Sequence, residues 1–140
     1  IGADITFQKN CPKHIALLAE ENSNFHLFKP VDFYVLKDTD NVAYRSVEMF
    51  HPNPKKLSEY ATKLMARNYF QVCPRFINKT KVDFVLYVAD EINGDVQGGT
   101  GQAIRIAKYK GIPHFNLRYA SSEECIDWIM NLDIFKTVNI

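Results

Sequence analysis

Three glycines and a hydroxyl occupy four consecutive positions, Gly98-Gly99-Thr100-Gly101, and the amide of Gln102 follows. Glycine leaves main-chain N–H groups uncovered and admits positive φ, so such a loop lets the backbone come close to an anion. Where the loop opens a helix, the free N–H groups of the first turn and the helix dipole both favour negative charge. The spacing is neither G-x-G-x-x-G nor the Walker pattern, and the Lys-Ser/Thr pair of a P-loop is missing, which argues against that chemistry. A tight strand-to-helix connection without ligand is the plain alternative. Around the loop, Arg67 offers a guanidinium for a phosphate and Asn68 an amide for ribose or base. Asp90 and Asn116 follow apolar runs and would present polar groups at strand ends, and Arg105 adds a cation one turn into the helix. Each has an ordinary structural reading too, as a surface cation or a loop cap.

Other reactive types lack a useful pattern. His14, His26, His51 and His114 show no metal-ligand spacing, and no GxSxG elbow or Cys/His pairing is present. Cys11, Cys73 and Cys125 are odd in number and far apart, which reads as idle or buried thiols in a reducing cytosol. No metal and no cofactor is expected. Tyr60, Tyr69, Phe70, Phe76 and Tyr87 read mostly as core rather than as a stacking platform for bases.

The elements that must position the loop follow from periodicity. Residues 82–89 form a short apolar run rich in β-branched and aromatic residues, which predicts a strand buried on both faces. Asp90 to Gln97 reads as a polar loop. From Gln102 to Lys110 a helical face of Ala103, Ile106 and Ala107 is closed by Gly111, and residues 112–117 predict a second strand. The result is a βαβ unit, whose ligands belong beyond the carboxyl ends of the strands, where the glycine loop falls. Ser121 or Ser122 starts a helix through Met130, with Ile126, Ile129 and Met130 on one face. Asn53–Cys73 predicts one long helix, 42–50 a shorter one, 24–28 and 33–36 strands, and 3–20 two helical pieces broken at Pro12. Alternating helix and strand predicts an α/β fold with a mostly parallel sheet.

The chain of 140 residues, 46% hydrophobic and 24% charged, fits one globular domain. Seventeen basic against sixteen acidic residues give a net charge of +1, so a nucleic-acid partner is disfavoured. No apolar run approaches the about 18 residues of a membrane span, so no membrane partner is expected and the cytoplasm is the predicted location.

His51-Pro52, Leu57-Ser58, Ala66-Arg67-Asn68, Gln71-Val72 and the run Gly98-Gly99-Thr100-Gly101-Gln102-Ala103-Ile104-Arg105-Ile106-Ala107, ending in Gly111-Ile112-Pro113, resemble the SLOG superfamily. This Rossmann-like group includes DprA and the LOG phosphoribohydrolases, and the nearest likeness is to small DprA-like proteins, many of them from phages. The resemblance covers residues 48–118 well and the first 20 loosely. It implies a three-layer sandwich around a mostly parallel sheet, a homo-oligomer, and a nucleotide or nucleotide-derived ligand held for sensing or sequestration. In a phage setting the location would be the host cytoplasm.

Gly2-Ala3-Asp4 resembles the segment that follows the family's first strand and glycine turn, which adds Asp4 to the ligand-binding candidates. That strand would then be supplied by another polypeptide, lie outside the given chain, or be replaced by a different construction. LOG-type hydrolases carry PGGxGTxxE with a catalytic glutamate. Here Arg105 takes the glutamate's place and residues 96–110 contain no carboxylate, so N-glycosidic hydrolysis is disfavoured and no catalytic residue is assigned. An N-glycosidic enzyme using Asp4 or Asp90, and a DprA-like accessory that binds single-stranded DNA, are the alternatives.

Overall fold

The computed structural model describes residues 9–11, 13, 15–20 and 32–136. The fold is mixed α/β. Strand β1 (Ile15–Leu18) pairs in parallel with β2 (Asp32–Val35), Ile15 lying opposite Asp32 and Leu18 opposite Val35. Strand β3 (Val85–Tyr87) pairs in parallel with β6 (His114–Asn116), Val85 opposite His114. Among the described residues these remain two separate two-stranded sheets. The expected strand at 24–28 lies outside the described residues.

Three helices carry the core. Helix α1 (Asn41–Phe50) buries Ala43, Ser46 and Val47, and ends where His51 turns extended ahead of Pro52. Helix α2 (Glu59–Val72) buries Ala66, Asn68, Tyr69, Phe70 and Val72. Helix α3 (Gly98–Tyr109) buries Ala103, Ile106 and Ala107 at helical spacing, as expected. Helix α2 packs between α1 and α3 and also touches β1. Their apolar faces join Leu36, Cys73 and Ile112 in one cluster, while Tyr87, Val96 and Ile104 form a smaller one under the β3 edge. Tyr60 departs from the expected aromatic core and is exposed.

Four sequence expectations change. Ile15–Leu18 is a strand, not helix; Ala and Leu favour helices, but four apolar residues are too short a run to reveal period, and pairing with β2 decides. The long helix divides: Pro54–Lys56 is a single 3-10 turn, Leu57 is extended, and Ser58 begins α2 by accepting a hydrogen bond from the Ala61 N–H at 3.2 Å. The loop at 90–97 is a hairpin of β4 (Glu91–Ile92) and β5 (Asp95–Val96). Its turn residues, Asn93 at φ 52° and Gly94 at φ 77°, have the positive φ values of a type I′ turn. Helix α4 (Ser122–Met130) has a capping box between Ser121 and Glu124, but it docks through Cys125 and Trp128, leaving Ile126 and Met130 exposed. Trp128 lies 5.1 Å from the Phe115 ring and 6.0 Å from that of Phe84, which fixes α4 against the β3–β6 sheet. A short helix α5 (Asp133–Lys136) follows.

Candidate functional site

The glycine loop does begin a helix. Gln97 is the N-cap of α3 and Gly98 sits at φ 69°, a turn that a side chain would strain. The glycines differ in role. A Cβ added at Gly99 would meet Asn68 Nδ2 at 3.5 Å and Met65 Cε at 3.7 Å, ordinary contact distances. A Cβ added at Gly101 would collide with the Val96 carbonyl oxygen. Gly101 is therefore required by the close approach of α3 to β5, which explains its presence without a ligand.

Helix α2 brings its polar face to this turn. Asn68 is 5% exposed and donates from Nδ2 to the Gly99 carbonyl oxygen at 2.8 Å. Arg67 donates from Nη1 to the Leu17 carbonyl oxygen at 3.2 Å and from Nε to Asn68 Oδ1 at 3.4 Å. The chain Leu17–Arg67–Asn68–Gly99 thus links β1, α2 and the start of α3.

A cavity of about 460 Å³ opens beside this chain, lined by Arg67, Asn68 and Gln71 of α2, by Gly99, Thr100, Ala103 and Ile104 of α3, and by 84–88 along β3. Gln71 and the β3 residues were missed by sequence reasoning. The signal for Gln71 was its helical spacing, four positions beyond Arg67 and so on the same face.

The remaining candidates are placed elsewhere. Gln102 is completely buried and turned from the cavity, its Nε2 donating to the Ser46 carbonyl oxygen at 3.0 Å. Arg105 donates from Nε to the Phe50 carbonyl oxygen at 2.7 Å, closing the end of α1, and reaches Asp95 at 3.6 Å. The anion-binding role expected for Arg105 is corrected: the guanidinium joins α1, α3 and the hairpin. Asp90 accepts from Arg118 Nε at 2.9 Å. Asn116 clamps the end of β3, donating to the Ala89 carbonyl oxygen at 2.8 Å and accepting from the Ala89 N–H at 3.3 Å. Gly98, Gly101, Gln102, Asp90 and Asn116 do not line the cavity. Asp4 lies outside the described residues.

At the carboxyl ends of β3 and β6, Tyr87 donates from its hydroxyl to Glu91 Oε1 at 3.3 Å, and Asn116 Nδ2 donates to the same oxygen at 2.9 Å. Burial, and then the neighbouring Glu91 carboxylate, push the Tyr87 phenol up to about 12.

Cys73 and Cys125 are buried free thiols and Cys11 an exposed one. Among the described residues no group of His, Cys, Asp or Glu could hold a metal, and no helix is long and apolar enough to cross a membrane. Compared with protein-family models, with curated proteins and with solved structures, the chain finds no match in any of the three.

Proposed function

We propose that the protein binds the phosphate of a nucleotide or a nucleotide-derived small molecule at the Gly99–Thr100 turn, as a sensor or sequestering protein. The observation that carries this reading is the convergence of Arg67, Asn68, Gly99 and Thr100 on one cavity at the start of α3. The first-turn amides and the helix dipole supply a positive pole, and the Arg67 guanidinium adds a full charge. Gln71 and the apolar β3 wall then meet the sugar and base. The resemblance to the SLOG superfamily supports the same ligand class, and with it a Rossmann-like three-layer arrangement and self-association.

Among the described residues no carboxylate lines the cavity, which supports binding over N-glycosidic cleavage. Isothermal titration with 5′-AMP, with adenosine as the control, tests the reading. AMP should bind and adenosine should bind much more weakly; equal affinities would remove the phosphate from the argument. Incubation with AMP followed by chromatography for free adenine should yield none. Release of adenine would replace the binding reading with the hydrolase one.

A further inference from the structure

Side chains along a strand alternate between the two faces of its sheet, so a cavity over one face touches every second residue. The cavity beside β3 touches Phe84, Val85, Leu86, Tyr87 and Val88 in unbroken succession. It therefore lies against the edge of the strand, in the plane of the sheet. The other edge belongs to β6, where the Val85 N–H donates to the Pro113 carbonyl oxygen at 2.9 Å. Main-chain groups alternate in direction as well, so the N–H and C=O of Leu86 point away from β6 and toward the cavity. Among the described residues no strand pairs with this edge.

Strand β1, which Arg67 joins to the cavity wall, has matching geometry. The Leu18 carbonyl oxygen accepts from Leu36 on the β2 side, so the Leu17 carbonyl oxygen points the opposite way, where Arg67 holds it. Among the described residues no strand pairs with this β1 edge either, and Arg67 joins it to the cavity wall formed by α2 and α3. Parallel strands are ordinarily found within wider sheets covered on both faces.

Charge sets the direction of an occupant. Among the described residues, the charged one lining the cavity is Arg67 and none is an acid, and the α3 N-terminus lies at the carboxyl end of β3, the Gln97 N–H donating to the Asp90 carbonyl oxygen at 3.4 Å. An extended chain entering parallel to β3 brings a carboxylate to that pole; an antiparallel one brings an ammonium against it. We propose that this cavity is an acceptor slot for a polypeptide strand: the apolar carboxyl-terminal segment of a separate chain lies parallel to β3, pairs with the Leu86 N–H and C=O, and places its terminal carboxylate at Gly99, Thr100 and Arg67. Strand and nucleotide would occupy the same cavity and so exclude one another there; the inference does not rest on the nucleotide reading.

The test uses the whole chain and a synthetic probe, fluorescein-Gly-Ser-Thr-Val-Thr-Val with a free carboxylate. Anisotropy should rise saturably. The C-terminal amide should bind roughly tenfold more weakly or worse, because it lacks the charge. N-methylation of single peptide bonds should abolish binding at alternate positions only, since one edge of the probe faces β3. Exchange of the Leu86 amide hydrogen should slow by roughly tenfold on saturation. No saturable binding up to about 1 mM, indifference to N-methylation at every position, an amide that binds equally well, or unchanged Leu86 exchange would each overturn the proposal. AMP titrated alone keeps the two readings apart: a protein that takes the peptide and ignores AMP retains the slot and loses the nucleotide.

Discussion

Asn68 and Gly99 are 31 positions apart and joined by one hydrogen bond, the amide Nδ2 donating to the glycine carbonyl oxygen at 2.8 Å. The bond ties α2 to the first turn of α3, and both residues line the cavity. Asn68→Ala should lower unfolding free energy by ~1–3 kcal/mol, because a buried polar contact is lost with its packing. Urea denaturation measures this. Asn68→Asp should destabilise more, since a carboxylate would face a carbonyl oxygen, and should weaken any anion bound at Gly99.

Arg67 separates charge from scaffolding. Arg67→Ala should weaken AMP by ~1.5–3 kcal/mol if the guanidinium meets phosphate, roughly a 10- to 150-fold rise in Kd. Arg67→Gln, which keeps a donor within reach of Leu17, should weaken AMP comparably while losing less stability. Calorimetric titration beside thermal melts distinguishes the two effects.

The glycines at 99 and 101 should respond in opposite ways. Gly99→Ala makes only ordinary contacts and gains helix propensity, so stability should stay within about 1 kcal/mol of the parent. Gly101→Ala drives a methyl group into the Val96 carbonyl oxygen and should cost more than about 2 kcal/mol or prevent soluble expression. Gly99→Asp should leave the fold largely intact and abolish anion binding. Unchanged AMP affinity in that variant would remove the site from this turn.

Gln102 and Arg105 should matter for stability alone. Gln102→Ala removes the Ser46 contact and leaves a void in a fully buried place, costing about 2–4 kcal/mol. AMP affinity measured well below the melting temperature should be unchanged.

Tyr87 provides a pH prediction. Its folded pKa of about 12 stands above the unfolded value of 10.0, so the folded state holds the proton more tightly. The stabilisation is complete below pH 10 and is lost as pH rises through the folded value near 12. Tyr34, also raised to about 12 by burial and its bond to Asp40, acts in the same direction. Urea midpoints should therefore fall between pH 10 and 12. Glu91→Gln removes the negative charge beside Tyr87, and tyrosinate absorbance should then show that phenol ionising at lower pH.

Local chemistry made much of the fold legible. The apolar period of 102–110, the serine at 121 with its glutamate three positions on, and the β-branched run before the glycines are decided by residues within a few positions of one another. The α4 cap accordingly lies where the sequence predicts it, and β3 and β6 fall inside the predicted runs, but as three-residue strands with Val85 and Leu86 only half-buried, and α3 starts at Gly98, four residues before Gln102. The Asn93-Gly94 turn was equally local, since both residues tolerate positive φ, but the strands it joins are only two residues long and carry no readable alternation.

Sequence alone determined that a glycine-rich turn would open a helix after an apolar strand, because φ preference and periodicity are carried by the residues themselves. It could not determine which polar side chains face that turn. Arg67 and Arg105 are alike as residues; the packing of α1 against α3 directs one to the Phe50 carbonyl, while α2 carries the other to the cavity wall. Ile15–Leu18 became a strand by pairing with β2, and among the described residues β3 pairs with β6 alone, through contacts between segments far apart in the chain. Such contacts depend on how layers meet in space, and only the tertiary structure decides that.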